Sequence, residues 1–298
     1  MSEWHFKDLS ELTLMDDYMF GAVMQDPVIA KALLEHILNK KLRRIEYVEP
    51  QRTLKERYAS RAVRLDLYIE DEAGNLYNVE IQTTDKRNLP RRMRYYQSII
   101  DLHILSPGAD YQSLRPCYVI FICNYDPFGL GRCVYTFENR CLEAPGLGFG
   151  DDTVKVVVNT RGTQPDISDE LRETLRYFDN GTVSGAASAA LDRAVNHIKN
   201  SEERRREYMV MLAWEMEKLE EGLRKGMEKG MEKGMKKGME KGMEKGMEKG
   251  MEKGRELEAD VYNALVQKLL SMNRSDDLIH ATRDKDYRMK LCRELGIL

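Results

Sequence analysis

The sequence predicts an α/β sheet domain followed by a helical extension, and three observations carry this. Apolar and polar residues alternate over 62–70 and again over 76–83, on either side of a short polar segment. The run Cys117–Cys123 is continuously apolar, as suits a strand covered on both faces in the middle of a sheet. From Ser168 onward the apolar residues recur at three and four positions and continue to do so.

The elements follow in chain order. Residues 12–38 have helical spacing through Val23, Leu33, Leu34, Ile37 and Leu38, with Pro27 placed for a first turn. Residues 43–48 read as a short strand that ends before Pro50. In 62–70, Val63, Leu65, Leu67 and Ile69 share one face, and Arg64, Asp66 and Tyr68 share the other. Gly74 makes the turn. On the partner strand, Val79 and Ile81 oppose Glu80 and Gln82, so the two strands form a hairpin. Pro90 opens a helix to about Leu105, and 134–137 and 154–159 are further strands. Helices are expected at 166–178, 186–199, 202–223, 255–272 and about 284–295.

This order divides the chain into a sheet domain at 1–162, a helical region at 163–225, a low-complexity segment at 226–254 and a small helical end at 255–298. The low-complexity segment reads GMEK seven times from Gly226, once as GMKK with Lys236. It explains most of the excess in a composition of 21 Gly and 17 Met. A four-residue period advances about 400° on an α-helix, so the Met row drifts about 40° per copy. Seven glycines in an exposed helix cost roughly 7 kcal/mol relative to alanine. A semi-flexible spacer is the plain reading, and a Met-rich helix through which the chain forms a homo-oligomer is the functional one.

Composition excludes several classes. A hydrophobic content of 42% can fill a core, so a disordered acidic chain is out. The net charge of −3 excludes a uniformly basic nucleic-acid coat protein. The five cysteines form no CxxC pair and match no zinc spacing. Trp4, His5, Lys7 and Asp8 interrupt any apolar leader, and no apolar run approaches the ~20 residues that span a bilayer. A cytoplasmic protein with reduced thiols and no membrane partner is expected.

The residues that carry chemistry are Asp66, Glu80 and Gln82. A hairpin brings them onto one polar face of strands otherwise rich in Val, Leu and Ile. Two carboxylates there suit a hard cation such as Mg²⁺, with Mn²⁺ as a substitute, and Gln82 beside them can orient water or a phosphate oxygen. The charge around the pair is basic. Residues 31–64 hold ten Lys and Arg against four Glu, and 86–98 hold five cations and no acid. Positive segments around an acidic pair are what a phosphodiester substrate requires. Arg64, Arg92 and Arg94 from these segments are the expected DNA phosphate contacts.

Five stretches occur in a recognisable order: Leu14-Met-Asp-Asp-Tyr-Met-Phe20, Arg64-Leu-Asp-Leu-Tyr68, Asn78-Val-Glu-Ile-Gln82, Arg91-Arg-Met-Arg-Tyr-Tyr-Gln-Ser98 and Tyr118-Val-Ile-Phe-Ile122. From about Asp16 to Thr160 the chain resembles the Rpn family of recombination-promoting nucleases, also classed as transposases of the PD-(D/E)XK nuclease superfamily. A helical tail with Gly-Glu-Lys-rich repeats is typical of that family too. The resemblance implies a restriction-endonuclease-like α-β-β-β-α-β core with a C-terminal α-helical extension. It also implies metal-dependent DNA cleavage linked to recombination or mobile elements, and a bacterial source. On the matching positions Asp66 is the motif aspartate and Glu80 the second metal ligand. Gln82 stands where the superfamily pattern has Lys. Asp17, and with it Glu35, are candidate supporting acids, and Arg92 and Tyr96 match an Arg-x-x-x-Tyr on the following helix. A glutamine lacks the charge of a lysine, so the exchange lowers the rate or shifts the task to another cation; the alternative is a non-catalytic DNA-binding or assembly module on a degenerate nuclease fold. In the C-terminal segment Arg274, Arg283, Arg288 and Arg293 are placed to touch phosphate, without a legible recognition pattern.

Overall fold

The structure is a computed structural model and describes residues 6–54 and 63–298. Its elements are α1 (Asp17–Val23), α2 (Pro27–Leu38), β1 (Ile45–Leu54), β2 (Val63–Asp71), β3 (Leu76–Gln82), α3 (Leu89–Ile104), β4 (Cys117–Cys123), β5 (Val134–Phe137) and β6 (Thr153–Asn159). Five helices follow: α4 (Asp169–Asn180), α5 (Ala186–Lys199), α6 (Glu202–Ser271), α7 (Ser275–Arg283) and α8 (Lys285–Glu294). The chain divides into two compact units, Met1–Ala213 and Trp214–Leu298.

The first unit is built on one mixed six-stranded sheet in the order β1-β2-β3-β4-β6-β5. β1, β2 and β3 are antiparallel neighbours, β3, β4 and β6 run parallel, and β5 pairs antiparallel with β6 at the far edge. The parallel step from β3 to β4 requires a crossover, and α3 supplies it. Its start is set by Leu89 and Pro90, where a missing N–H costs nothing. Asp26 caps α2 by accepting from the Val28 amide at 2.8 Å, with Pro27 behind it, so the region read as one helical stretch is two helices.

The core lies on both faces of the sheet. On one face Leu67, Ile69, Tyr77, Val79, Ile81, Ile120 and Ile122 pack with α1, α2, α4 and α5. On the other, Cys117, Val119, Phe121 and Cys123 of β4 pack beneath Leu89, Met93, Ile99 and Ile100 of α3. The alternation along β4 confirms a strand covered on both sides. Leu65 lies in the α3 cluster, apart from Leu67 and Ile69, so the shared face expected along β2 breaks at Asp66.

β1 differs from expectation. It runs through Pro50, which pairs with Leu67, where the sequence reading stopped before it. β1 is an edge strand, so the missing proline N–H leaves no inner ladder bond unmade. In the β2–β3 turn, Asp71 accepts from the Ala73 and Asn75 amides, each at 2.9 Å, and from the Tyr77 hydroxyl at 2.9 Å, while Gly74 takes a φ of 83°. That clamp sets the hairpin register, and thereby which residues of β2 and β3 meet.

Four cysteines are buried and Cys141 is half-buried, with no disulfide. Burial pushes the Cys117 and Cys123 thiols up to about 12, so they are packing groups. In the second unit the repeat is helical: α6 continues through all seven copies. Its end packs Leu265 and Leu269 against Ala281, Leu291 and Cys292 of α7 and α8. Among the described residues no helix is long and apolar enough to cross a membrane.

Candidate nuclease site

The hairpin register runs from Glu70–Leu76 to Leu67–Val79. Beyond that pair the backbone amides are taken by side chains. The Asp66 amide donates to Glu80 Oε1 at 3.0 Å, and the Ile81 amide donates to Asp66 Oδ2 at 3.0 Å. Each carboxylate therefore reaches onto the opposite strand, and the two acids sit together where the strands part.

The pair is electrostatically costly. Glu80 is 2% exposed. Burial raises its carboxyl well above the usual range, and the neighbouring Asp66 charge raises it further; the Asp66 amide and the Arg92 charge oppose the rise. These residues fit a hard divalent cation. The donors are oxygens, and a positive ion is what relieves a buried pair of like charges. Among the described residues no cluster of three His, Cys, Asp or Glu side chains is arranged for a metal.

Gln82 is engaged at both ends. Its Nε2 donates to the Thr84 carbonyl at 2.8 Å, and its Oε1 accepts from Arg92 Nη1. The amide expected to orient water or phosphate instead holds a guanidinium. Arg92 reaches the site from the second turn of α3. Its Nη2 donates to the Tyr96 hydroxyl at 3.1 Å and lies 4.0 Å from Glu80 Oε2. The guanidinium carbon is 5.1 Å from the Phe121 ring centre and 5.4 Å from that of Tyr96. The Tyr96 ring packs at a tilt against Phe121, with ring centres 5.7 Å apart, and burial first, then the Glu80 charge, raise its phenol. A sheet residue and a helix residue thus place one half-buried cation beside two acids.

The other expected site residues fall elsewhere. Arg94 is exposed, two positions and about 200° around α3 from Arg92. The side chain of Arg64 lies outside the described residues, as do Lys55, Arg57 and Arg61 of its basic segment. Asp17 is exposed in the first turn of α1. Glu35 serves its own helix end: it accepts from the Leu42 amide at 2.9 Å and pairs with Lys41 at 3.3 Å. Against the upward push of burial, those contacts hold its carboxyl below the usual range. Within 31–54 much of the basic charge is paired: Lys31 and Lys41 with Glu35, Arg44 with Glu46, and Arg52 with Glu49. The cations that adjoin the acidic pair in the chain are Lys86, Arg87, Arg91 and Arg94, all exposed just after Gln82.

Sequence reasoning missed Asn78. It lies two residues before Glu80 on the same face of β3 and is fully buried; its amide lies close enough to the Glu80 carboxylate to oppose the rise there, but neither amide atom makes a hydrogen bond of ordinary geometry among the described residues. The signal was present: a third polar residue in register with Glu80 and Gln82 on a strand whose other residues are apolar or aromatic.

No curated protein and no solved structure gives a significant match to the chain. Residues 15–130, from α1 through β4 and including Asp66, Glu80, Gln82 and Arg92, match the family described as PD-(D/E)XK nuclease family transposase, the family to which the ordered motifs pointed.

Proposed function

We propose that the protein is a metal-dependent DNA endonuclease that hydrolyses phosphodiester bonds at Asp66 and Glu80, with Mg²⁺ as its ion and Mn²⁺ as a substitute. The observation that carries this reading is the reciprocal placing of two carboxylates at the parting of β2 and β3, with the Arg92 guanidinium 4.0 Å from one of them. Asp66 and Glu80 would hold the ion, each oriented by a backbone amide of the opposite strand. A divalent cation there supplies positive charge at the phosphoryl transition state and acidifies water. Arg92 meets the phosphate with a planar, permanently charged donor. Gln82 and Tyr96 fix its direction, and the rings of Phe121 and Tyr96 shield it from water. The exposed cations of 86–94 draw the DNA backbone to the same place. The family match supports a role in DNA recombination or mobile elements.

Supercoiled plasmid tests this reading. The protein is expected to nick it with Mg²⁺ or Mn²⁺ and not with EDTA, and Asp66→Ala is expected to abolish nicking. Equal nicking by the variant removes Asp66 from the site. A second reading rests on the uncharged Gln82 at the superfamily's Lys position: a DNA-binding or assembly module without chemistry. It requires salt-sensitive DNA binding with no metal-dependent nicking in the wild type.

A further inference from the structure

The repeat forms a helix that carries its apolar side chains entirely in water. Met227, Met231, Met235, Met239, Met243, Met247 and Met251 are between 61% and 75% exposed. Beside that row runs a second row, from Gly226 to Gly254 at every fourth position, where an added Cβ would meet nothing within 4 Å. An isolated helix of this kind has no packing to offset the loss of helix propensity at each glycine.

At 100° per residue, the four residues of each repeat lie around the helix in the order Gly, Met, Glu, Lys. The Gly row is therefore a groove with the Met ridge on one side and the Lys row on the other. Rows of residues four apart are inclined about 26° to the helix axis. Two helices that interlock such rows cross at about −50°. Glycine at every fourth position lets two helix backbones approach closely. A pattern with more than 3.6 residues per turn winds right-handed, so a partner follows it only by winding at the same rate. A second copy of the same repeat does so.

Charge then selects the direction. In a parallel two-fold pair, the Met side of one helix faces the Gly side of the other. Met enters the Gly groove on both seams, and outside them each Glu row faces a Lys row. In an antiparallel two-fold pair, like meets like: Met on Met, Gly on Gly, Glu on Glu and Lys on Lys. We propose that residues 226–254 form a parallel, right-handed two-chain interface with a second copy of this protein, in which the Met ridge of each chain fills the Gly groove of the other. Lys236 is the one departure in the Glu row and faces lysine across each seam.

The whole 298-residue chain is the material for the test, with mass read by sedimentation and helix content by circular dichroism. Wild type is expected to be a dimer at tens of micromolar, and a monomer there overturns the proposal. Replacing Gly234, Gly238, Gly242 and Gly246 by Gln raises helix propensity while filling the groove with a polar chain. The dissociation constant is expected to rise at least tenfold with no loss of helix. An undiminished dimer places the contact elsewhere. Lys236→Glu completes the Glu row and is expected to tighten the dimer roughly 2- to 5-fold. For direction, pyrene is attached at Met231→Cys or Met247→Cys, each in a Cys141→Ser background. Excimer emission from a single labelled position supports parallel pairing. Excimer emission only from a mixture of the two overturns it.

Discussion

Glu80 and Glu244 are the same side chain in opposite settings. Glu80 is buried in a strand, pinned by the Asp66 amide and pressed by a second carboxylate. Glu244 stands exposed in a helix where its neighbours at four residues on either side, Glu240 and Glu248, are also glutamates. Burial turns one charge into a demand for a cation, whereas exposure lets water screen the other. The first unit concentrates charge at one point of a packed core. The repeat spreads charge along a surface, where only the order of the rows conveys information.

The sharpest way to break the comparison is to neutralise each acid. Glu80→Gln is expected to lower Mg²⁺-dependent nicking by at least about a hundredfold, since it removes one of the two carboxylates proposed to hold the ion. Glu244→Gln is expected to leave nicking unchanged. Equal effects would mean that burial does not single out Glu80.

Packing separates the two regions next. Ile120 is fully buried in β4, and Ile120→Ala is expected to cost about 2–5 kcal/mol in urea unfolding of the first unit. Met239→Ala, at a site 75% exposed, is expected to leave that transition in place. A shift for Met239→Ala comparable to that for Ile120→Ala would show that the repeat helps hold the core.

Arg92 tests whether charge or side-chain identity matters at the site. Arg92→Gln is expected to slow nicking roughly a hundredfold, as the loss of one aimed donor does in other charge-stabilised sites. Adding Gln82→Lys to that variant returns a cation to the strand position, and recovery of about tenfold is expected. If the double variant is no better than the single one, the cation must come from α3 itself.

The fold was legible where local pattern and tertiary demand agree. The β2–β3 hairpin follows from alternation and Gly74, and β4 from its unbroken apolar run. β1 was cut short because Pro50 is a stop signal unless the strand lies at an edge, and edge position is a property of the whole sheet. At the site, the two acids were readable because strand parity places them together. The hold of Gln82 on Arg92 was not, since it crosses from sheet to helix and no local period connects residues 82 and 92. The spacing did reveal Arg92 with Tyr96, four apart on one helix. Asn78 escaped notice because a buried amide has no sequence signature beyond its parity.

The smallest effect separates the burial of Glu80 from its chemistry, and it is read without metal. In EDTA the folded protein holds the Glu80 proton more tightly than the unfolded chain, because burial and the Asp66 charge raise its carboxyl. Where the folded state binds more protons, stability falls as pH rises. The loss begins at the ordinary glutamate range and continues upward until Glu80 is ionised in the folded state. Glu80→Gln has no proton to lose, so thermal unfolding in EDTA is expected to show a flatter decline above about pH 4.5 in the variant than in wild type. Adding Mg²⁺ is expected to restore stability to wild type and to do less for the variant, because an ion that binds only the folded state stabilises it. Parallel curves for the two proteins in EDTA would mean that burial does not disfavour the Glu80 carboxylate, and the case for a cation at the parting of β2 and β3 would lose its electrostatic basis.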